Sequence, residues 1–248
     1  ETLHNATTDP ILVQYQITPA VNTCAGTQKT VNVTVNPTAV ITSPQNINWC
    51  TDIPNTYNIT SSTTTPAPSY AWSRASVAGI SNPAANGTGN SITETLQNTT
   101  TDPIEIQYVI TPTVNSCQGT IFTVHVTVNP KVVITSADNA NWCTDVSNTY
   151  NITSSSTTPA PTYSWSRAAV PGITNPAASG TGNAITETLY NSTVNPVLVT
   201  YLITPTVNTC NGDNKTVTVT VNPKSVITGA DAVNWCNDLS NTYNITSS

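Results

Sequence analysis

The sequence contains very little charge. Asp, Glu, Lys and Arg make up 7% of its 248 residues, against roughly 25% in ordinary globular proteins. Thr, Asn, Ser and Val take their place, so the expected surface is polar through hydroxyl and amide groups, as is typical of extracellular β-proteins. The six basic residues form no run and the formal net charge is −6, which argues against binding to nucleic acid or to anionic membranes.

Long apolar runs and helical periodicity are also missing. No stretch approaches the roughly 18 consecutive apolar residues of a transmembrane helix, so we predict no membrane insertion in this segment. No window of helical length places apolar residues with a period of 3.6. Helices are therefore not expected, and the sequence predicts an all-β fold.

The sequence does have a repeat with a period of 93 residues. The tripeptide Glu-Thr-Leu begins at Glu1, Glu94 and Glu187, and the six cysteines form two series with the same spacing. One series is Cys24, Cys117 and Cys210, and the other is Cys50, Cys143 and Cys236. A period of this length indicates a tandem array of small domains. Both ends of the chain fall within a repeat, so we expect it to be a segment of a longer protein.

Asn-Pro steps mark the predicted domain boundaries. Each follows the last predicted strand of a repeat, where proline cannot donate to strand pairing and stiffens the junction. Only one or two residues separate that proline from the next apolar position, so we predict a semi-rigid array. The boundaries give a partial first repeat (1–36), complete second (37–129) and third (130–222) repeats, and a partial fourth repeat (223–248).

Apolar residues alternate with polar ones along the predicted strands. Ile104, Ile106, Tyr108 and Ile110 share one face of such a segment, as expected for a half-buried antiparallel strand. Short strands separated by Pro, Gly and Asn predict a β-sandwich in each repeat. In the third repeat the predicted strands are Val132–Thr135, Thr149–Thr153, Thr162–Arg167, Ala184–Leu189, Pro196–Thr204 and Thr216–Val221. The predicted core aromatic residues are Trp72, Trp165, Tyr108 and Tyr201.

No catalytic or metal-binding motif is shared by the repeats. His4 and His125 align with other residue types, which excludes a repeated Ser-His-Asp or Cys-His device. The shared acids are the Glu94 and Asp52 series, and nothing in the sequence brings them together for glycoside cleavage. The nearest cysteines are 26 residues apart, unlike the clustered ligands of zinc sites. We therefore predict no enzyme activity, cofactor or metal, and instead disulfides formed in an oxidising compartment.

A specific motif fills the second half of each repeat. In the third repeat, Tyr163-Ser-Trp165 is followed by Val-Thr-Tyr-Leu-Ile-Thr-Pro-Thr from Val199, then by Cys210-Asn-Gly, and then by Thr-Val-Thr-Val-Thr-Val-Asn-Pro at 216–223. This pattern resembles the PKD-like repeats of very large cell-surface adhesins of the Bacteroidota, which the type IX secretion system exports and which include the mobile adhesin of gliding bacteria. The resemblance implies Ig-like sandwiches arranged end to end and an extracellular, cell-surface location. It also implies secretion and motility machinery as partners.

Residue spacing leaves the cysteine pairing open between two arrangements. Intra-repeat pairs would be 67 residues apart, whereas pairs between adjacent repeats would be 26 apart, and loop entropy separates the two by only about 0.8 kcal/mol. The intra-repeat pairs are Cys50–Cys117 and Cys143–Cys210. The pairs between adjacent repeats are Cys24–Cys50, Cys117–Cys143 and Cys210–Cys236. The resemblance to PKD-like repeats implies the intra-repeat pairs.

Three tryptophans that each precede a cysteine are the candidate contacts for a ligand or a neighbouring repeat: Trp49, Trp142 and Trp235. Our leading interpretation is a repetitive extracellular stalk or adhesin segment, with neighbouring repeats of the same chain as its immediate partners. If these tryptophans are exposed, each repeat is instead a carbohydrate-binding module for a surface polysaccharide or the substratum. A third hypothesis is a subunit of a surface filament assembled by strand exchange.

Overall fold

The fold is described from a computed structural model, which covers residues 1–247. The chain divides into two compact units, Glu1–Pro130 and Lys131–Ser248. Every regular element of the described residues is a β-strand, which confirms the all-β prediction. The strands of the first unit are β1 (Ile11–Ile17), β2 (Ala20–Val21), β3 (Cys24–Ala25), β4 (Lys29–Val35), β5 (Asn46–Cys50), β6 (Pro54–Asn58), β7 (Ser69–Arg74), β8 (Ala85–Thr88), β9 (Ser91–Thr95), β10 (Ile104–Val114), β11 (Cys117–Gln118) and β12 (Phe122–Asn129).

The second unit repeats the pattern of the complete second repeat, strand for strand. Its strands are β13 (Asn139–Cys143), β14 (Ser147–Asn151), β15 (Thr162–Arg167), β16 (Ala178–Thr181), β17 (Ala184–Thr188), β18 (Val197–Val207), β19 (Cys210–Asn211) and β20 (Lys215–Asn222). The large sheet of the second repeat has the order β5-β12-β10-β7-β8, with β11 paired to β10, and a small sheet is formed by β6 and β9. The third repeat has the orders β13-β20-β18-β15-β16 and β14-β17. In the partial first repeat, β1 pairs with β4 and β2 with β3.

The core of each complete repeat lies between its large and small sheets. Alternate residues of β10 and β12 point inward, and Tyr108, Ile110 and Val126 are fully buried. The small sheet contributes Tyr57 and Ile92 to the same cluster. This is the period-two alternation that the sequence predicts, and an equivalent cluster fills the third repeat. Each complete repeat is therefore an Ig-like sandwich with its own core.

The structure corrects two strand predictions at the start of the repeat. The predicted edge strand Val132–Thr135 is reduced to a single β-bridge between Ile134 and Ser154. Strand β13 was not predicted, because its sequence Asn-Ala-Asn-Trp-Cys lacks the β-branched residues that strands favour. It forms because it can add to the edge of the large sheet, in parallel with β20.

Gly180 leaves room for the Trp165 indole ring of the neighbouring strand. Trp165 of β15 is paired with Gly180 of β16, and a Cβ at that glycine would lie 2.7 Å from the Trp165 ring. We expect Gly180→Ala to lower the free energy of unfolding of the third repeat by about 1–3 kcal/mol, because the ring must move. Urea denaturation measures this change. Ser179→Ala, at an exposed neighbour, is the control, and equal stability of the two variants would contradict the prediction.

Candidate functional site

One arginine and one glutamate that the complete repeats share meet inside each sandwich. Arg74 ends β7, Glu94 lies on β9 and Tyr108 lies on β10, so the three side chains come from both sheets. Arg74 Nε donates to Glu94 Oε2 at 2.9 Å, and its second terminal nitrogen donates to Glu94 Oε1 at 3.0 Å. The Tyr108 hydroxyl donates to the same carboxylate. We call this group the inter-sheet clamp.

The third repeat builds the same clamp from Arg167, Glu187 and Tyr201. Arg167 donates to the two Glu187 oxygens at 3.0 and 2.9 Å, and the Tyr201 hydroxyl donates to Glu187 Oε2. In both repeats the arginine side chain is 1% exposed and the glutamate side chain 15% exposed. A further arginine hydrogen bond reaches a backbone carbonyl, which is Pro83 in the second repeat and Pro176 in the third. The arginine's charge and donors are thus used within the fold.

The hydrogen bonds and charges of the clamp keep its glutamate ionised and its tyrosine protonated. Burial alone would raise the pKa of Glu94, but the hydrogen bonds from Arg74 and Tyr108 and the arginine's charge outweigh it, so its pKa lies below the ordinary value. Burial and the hydrogen bond to Glu94 raise the pKa of Tyr108, so its hydroxyl stays protonated and remains a donor. Glu187 and Tyr201 are shifted in the same directions by the same causes. A carboxylate held in this way is a structural anion, not a general acid or base.

The clamp tyrosine contacts the tryptophans of its own repeat. The Tyr108 ring centroid lies 5.7 Å from those of Trp49 and Trp72, with interplanar angles of 57° and 77°. These are geometries that aromatic pairs favour. In the third repeat, Tyr201 is 5.8 Å from Trp142 and from Trp165. Trp72 and Trp165 are partly buried and pack against the cores.

The structure overturns the predicted ligand contact of two tryptophans. Trp49 is 4% exposed and Trp142 is 3% exposed, so neither indole can stack on a ligand in the folded repeat. The cause is the unpredicted edge strand, which pairs Trp49 with Val128 and Trp142 with Val221 and turns both rings into the core. Trp235 is 58% exposed, and residues 223–247 contain no strand equivalent to β12 or β20.

The predicted intra-repeat disulfides do not form. Cys50 and Cys210 are disulfide-bonded, whereas Cys117 and Cys143 are exposed free thiols. Each predicted pair, Cys50–Cys117 and Cys143–Cys210, thus contains one bonded and one free cysteine. The reason is the parallel pairing that sets Cys50 beside Asn129, at the end of β12. Cys117 precedes the start of that strand, and its eight residues span roughly 26 Å, far beyond the ~6 Å between the Cα atoms of a disulfide.

The pairs between adjacent repeats also do not form. Cys24 and Cys236 are exposed free thiols, as are the two members of the Cys117–Cys143 pair. Both arrangements considered from the sequence are therefore wrong. Sequence spacing could not reveal this, because the position of each cysteine along its sheet depends on the direction in which β5 and β13 pair.

The other residues weighed as catalytic or metal-binding do not assemble a site. Both carboxylate oxygens of Glu94 accept hydrogen bonds within the clamp, while Asp52 is exposed in a turn. Among residues 1–247, no group of three or more His, Cys, Asp or Glu side chains could hold a metal ion. No helix in that part of the chain is long and apolar enough to cross a membrane.

An open cleft recurs at the same place in both complete repeats. In the third repeat it is lined by residues that include Pro161, Tyr163, Gly182 and Asn183, and in the second by their equivalents. Its aromatic ring is not available as a platform, because Tyr163 is 8% exposed and donates its hydroxyl hydrogen to Ser154 Oγ at 2.7 Å. The cleft has no charged lining residue. It therefore offers few of the groups that orient a bound ligand.

Comparison with known protein families identifies the repeat. Residues 47–132 and 140–225 both match the PKD-like domain. The chain belongs to the PKD-like domain family. The two matched segments begin 93 residues apart, as the sequence period requires. PKD-like and Ig-like domains are typically non-catalytic structural or adhesion modules and are common in extracellular proteins.

Solved structures similar to this PKD-like chain are built from Ig or fibronectin domains. Chain comparison with IG1 and IG2 of DIP-gamma gives a TM-score of 0.34 at 11% identity, covering 75% of this chain and 98% of that one. The FN1–FN3 domains of chicken CNTN1 give 0.39 at 9% identity, covering 85% and 76%. The insect immune protein hemolin gives 0.34 at 11% identity, covering 85% and 56%. No curated protein matches the chain.

Removing the clamp carboxylate should destabilise its repeat strongly. Glu94→Gln leaves the Arg74 guanidinium buried without a counter-charge, and the loss of one partner of a buried ion pair costs about 3–5 kcal/mol. Urea denaturation of the full chain measures this loss of stability, because the second repeat should then unfold at a lower urea concentration. The matched control is Glu105→Gln on β10, which removes an exposed contact with His125 and should change stability little. Equal effects of the two variants would contradict the clamp's role.

The clamp also predicts a loss of stability in acid. Because the pKa of folded Glu94 and Glu187 is lowered, the stabilisation is fully present above the ordinary value of 4.5. It is lost as the pH falls below that value and through the lowered pKa. Thermal unfolding between pH 7 and pH 2 measures this loss. The double variant Glu94→Gln, Glu187→Gln should show a flatter pH profile, and an unchanged profile would argue against these groups as its source.

Proposed function

We propose that this chain is a segment of a repetitive extracellular stalk or adhesin that projects, or multiplies, adhesive contacts. The observation on which this rests is that both complete repeats use their shared arginine, glutamate and core aromatic residues internally. Arg74, Glu94 and Tyr108 hold one repeat together, and their equivalents hold the other. A binding module would be expected to aim some of these groups at a ligand; a spacer has no such need.

The path of the chain through one repeat supports a spacer. The chain enters the second repeat near Ala39, whose carbonyl oxygen would lie 2.5 Å from a Cβ placed on Gly119, in the turn before β12. It leaves at Asn129, the last residue of β12. Entry and exit thus lie at opposite ends of a strand that spans roughly 26 Å. Each repeat therefore adds length to the chain.

The exposed surface also suits a long extracellular segment. Threonine hydroxyls bond to one another across strand pairs, as between Thr56 and Thr93 at 2.9 Å and between Thr149 and Thr186 at 3.0 Å. Such neutral contacts do not depend on ionic strength, unlike surface ion pairs. Weak contacts with a surface polysaccharide or the substratum, repeated along an array, would add up through avidity.

The similarity of the motif to Bacteroidota adhesins extends the proposal to a cellular context. We infer that the segment is displayed on the cell surface after export by the type IX secretion system, and that it takes part in gliding motility. The alternative of a carbohydrate-binding module is weakened by the burial of Trp49 and Trp142. The filament-subunit alternative requires strand exchange, whereas each complete repeat here closes its own sandwich.

Live-cell labelling tests the proposed function. A fluorescent antibody fragment against the second and third repeats should label intact, unfixed cells, and the label should travel along the surface as the cells glide. A fragment against a cytoplasmic protein is the control for cell integrity. Surface label that stays stationary would contradict the motility role and leave the stalk. Absence of label from intact cells would contradict the extracellular adhesin role.

A further inference from the structure

One hydroxyl group in each complete repeat is buried without a hydrogen-bond partner. Ser156 in the third repeat and Thr63 in the second are each 2% exposed, and neither side-chain oxygen makes a hydrogen bond to another described residue. The two residues are 93 positions apart, so they occupy the same place in the repeat. Burying a polar group without a hydrogen bond costs stability. Because both copies bear this cost at one position, we looked for a partner outside the repeat.

Both hydroxyls line a hollow that the two repeats share, which we call the loop hollow. Its volume is about 320 Å³ in the third repeat and about 330 Å³ in the second. The residues that line it in the third repeat include Ile152, Ser156, Thr157, Pro161, Tyr163 and Asn183. It adjoins the open cleft described above, with which it shares three of these residues. A water molecule takes up roughly 30 Å³ and ligand pockets begin at about 300 Å³, so the loop hollow has room for one small ring.

Hydrogen bonds of the fold hold the walls of the loop hollow in place. The backbone nitrogen of Ile152 donates to the carbonyl oxygen of Asn183 at 2.8 Å. Ser154 Oγ donates to the carbonyl oxygen of Ser156 at 3.0 Å and accepts the hydroxyl hydrogen of Tyr163 at 2.7 Å. These bonds fix the backbone at Ser156 and leave its hydroxyl unused. A site that is already formed loses less conformational freedom when a ligand binds.

The lining residues fit an uncharged ligand that carries hydroxyl groups. All nine of them are uncharged in each repeat, which argues against a phosphate, a sulfate or a carboxylate. The Ser156 hydroxyl, the exposed Thr157 hydroxyl and the exposed Asn183 amide can each donate and accept a hydrogen bond. Pro161 adds an apolar surface beside them. A sugar ring has the matching groups, because its hydroxyls donate and accept while its C–H faces are apolar.

We propose that the loop hollow of each complete repeat binds one sugar ring of an uncharged polysaccharide, with the hydroxyl of Ser156 or Thr63 as the central hydrogen-bonding group. The proposal rests on the adhesive function proposed above and names the ligand class of its weak contacts. Neither Trp49 nor Trp142 takes part. One ring held by a few hydrogen bonds should have a Kd on the order of 1 mM. Sites of the same composition repeated along an array would strengthen attachment through avidity.

An NMR titration of the isotope-labelled full chain tests for the sugar site. The probes are glucose, mannose, galactose and N-acetylglucosamine, added separately, and glucuronic acid is the charged control. At least one uncharged probe should shift the backbone amide signals of Ser156, Asn183, Thr63 and Asn90 in a saturable way, and glucuronic acid should shift them less. The proposal would be overturned if no uncharged probe gave saturable shifts, or if glucuronic acid gave equal ones.

Single substitutions separate binding from folding. Ser156→Ala should raise the Kd of the third repeat for the active probe about tenfold, the effect of losing about two hydrogen bonds, and should leave the second repeat unchanged. Because the Ser156 hydroxyl has no partner in the fold, this variant should not unfold at a lower urea concentration. Thr63→Val should weaken binding in the second repeat alone. Ser179→Ala, at an exposed position outside the loop hollow, is the control and should change neither binding nor stability.

Two results with the Ser156→Ala variant would overturn the proposal. An unchanged Kd would show that the hydroxyl does not contact the sugar, and a loss of stability would show that it serves the fold, through an ordered water only. The purified chain also separates this site from the proposed function. If it binds no sugar while antibody labels the cell surface, the sugar site is refuted and the stalk stands. If it binds sugar while intact cells carry no label, the site stands and the adhesin role is contradicted.

Discussion

The buried ion pair between the two sheets is the constraint on which each repeat depends. Burying Arg74 and Glu94 costs desolvation energy that only close hydrogen bonding offsets, and the Tyr108 hydroxyl completes that bonding. The same tyrosine ring contacts Trp49 and Trp72. One polar cluster thus fixes the spacing of the sheets and the positions of the aromatic core. Few residues of the chain are charged, and each complete repeat places two of them in this cluster.

This arrangement explains why the clamp residues of the two complete repeats form no catalytic or ligand-binding group. The recurring arginine, glutamate and tyrosine of the clamp bond to one another, and what remains on the surface is mainly neutral and hydroxylated. The function proposed above therefore relies on what a repeat does as a mechanical unit. The chain enters and leaves at opposite ends of β12, and the cysteines lie at those same ends. Added length is the property that the proposed function takes from this fold when it is copied in tandem.

The sequence predicted the central strands well and the edge strand poorly. Ile106, Tyr108 and Ile110 alternate on a strand whose pattern reflects burial on one face, so a local rule suffices. Cys50, by contrast, lies on the short strand Asn-Ile-Asn-Trp-Cys, which pairs in parallel with the edge of β12. The strand that it pairs with and the direction of that pairing depend on residues about 80 positions later in the sequence. The errors over the tryptophan beside it and over the disulfides follow from that one missed strand.

The sequence also did not lead us to predict that the clamp arginines belong to the site. Arg74 and Arg167 are two of only six basic residues and occupy equivalent positions of the repeat. This recurrence could have identified them as members of the site. Their partners Glu94 and Glu187 were weighed as acids for catalysis, because sequence distance does not show that they face an arginine. Pairing across the two sheets brings them together. A charged residue retained by the repeats in a chain nearly free of charge is better interpreted as structural.

A double-mutant cycle across Arg74 and Glu94 measures how strongly the two sheets depend on this ion pair. The free energy of unfolding is measured for the full chain, for Arg74→Leu, for Glu94→Leu and for the double variant. We expect a coupling energy toward the upper end of the range of about 0.5–3 kcal/mol seen for contacting residues, with the double variant more stable than Glu94→Leu alone. Additive effects, with a coupling near zero, would show that the sheets do not depend on this pair.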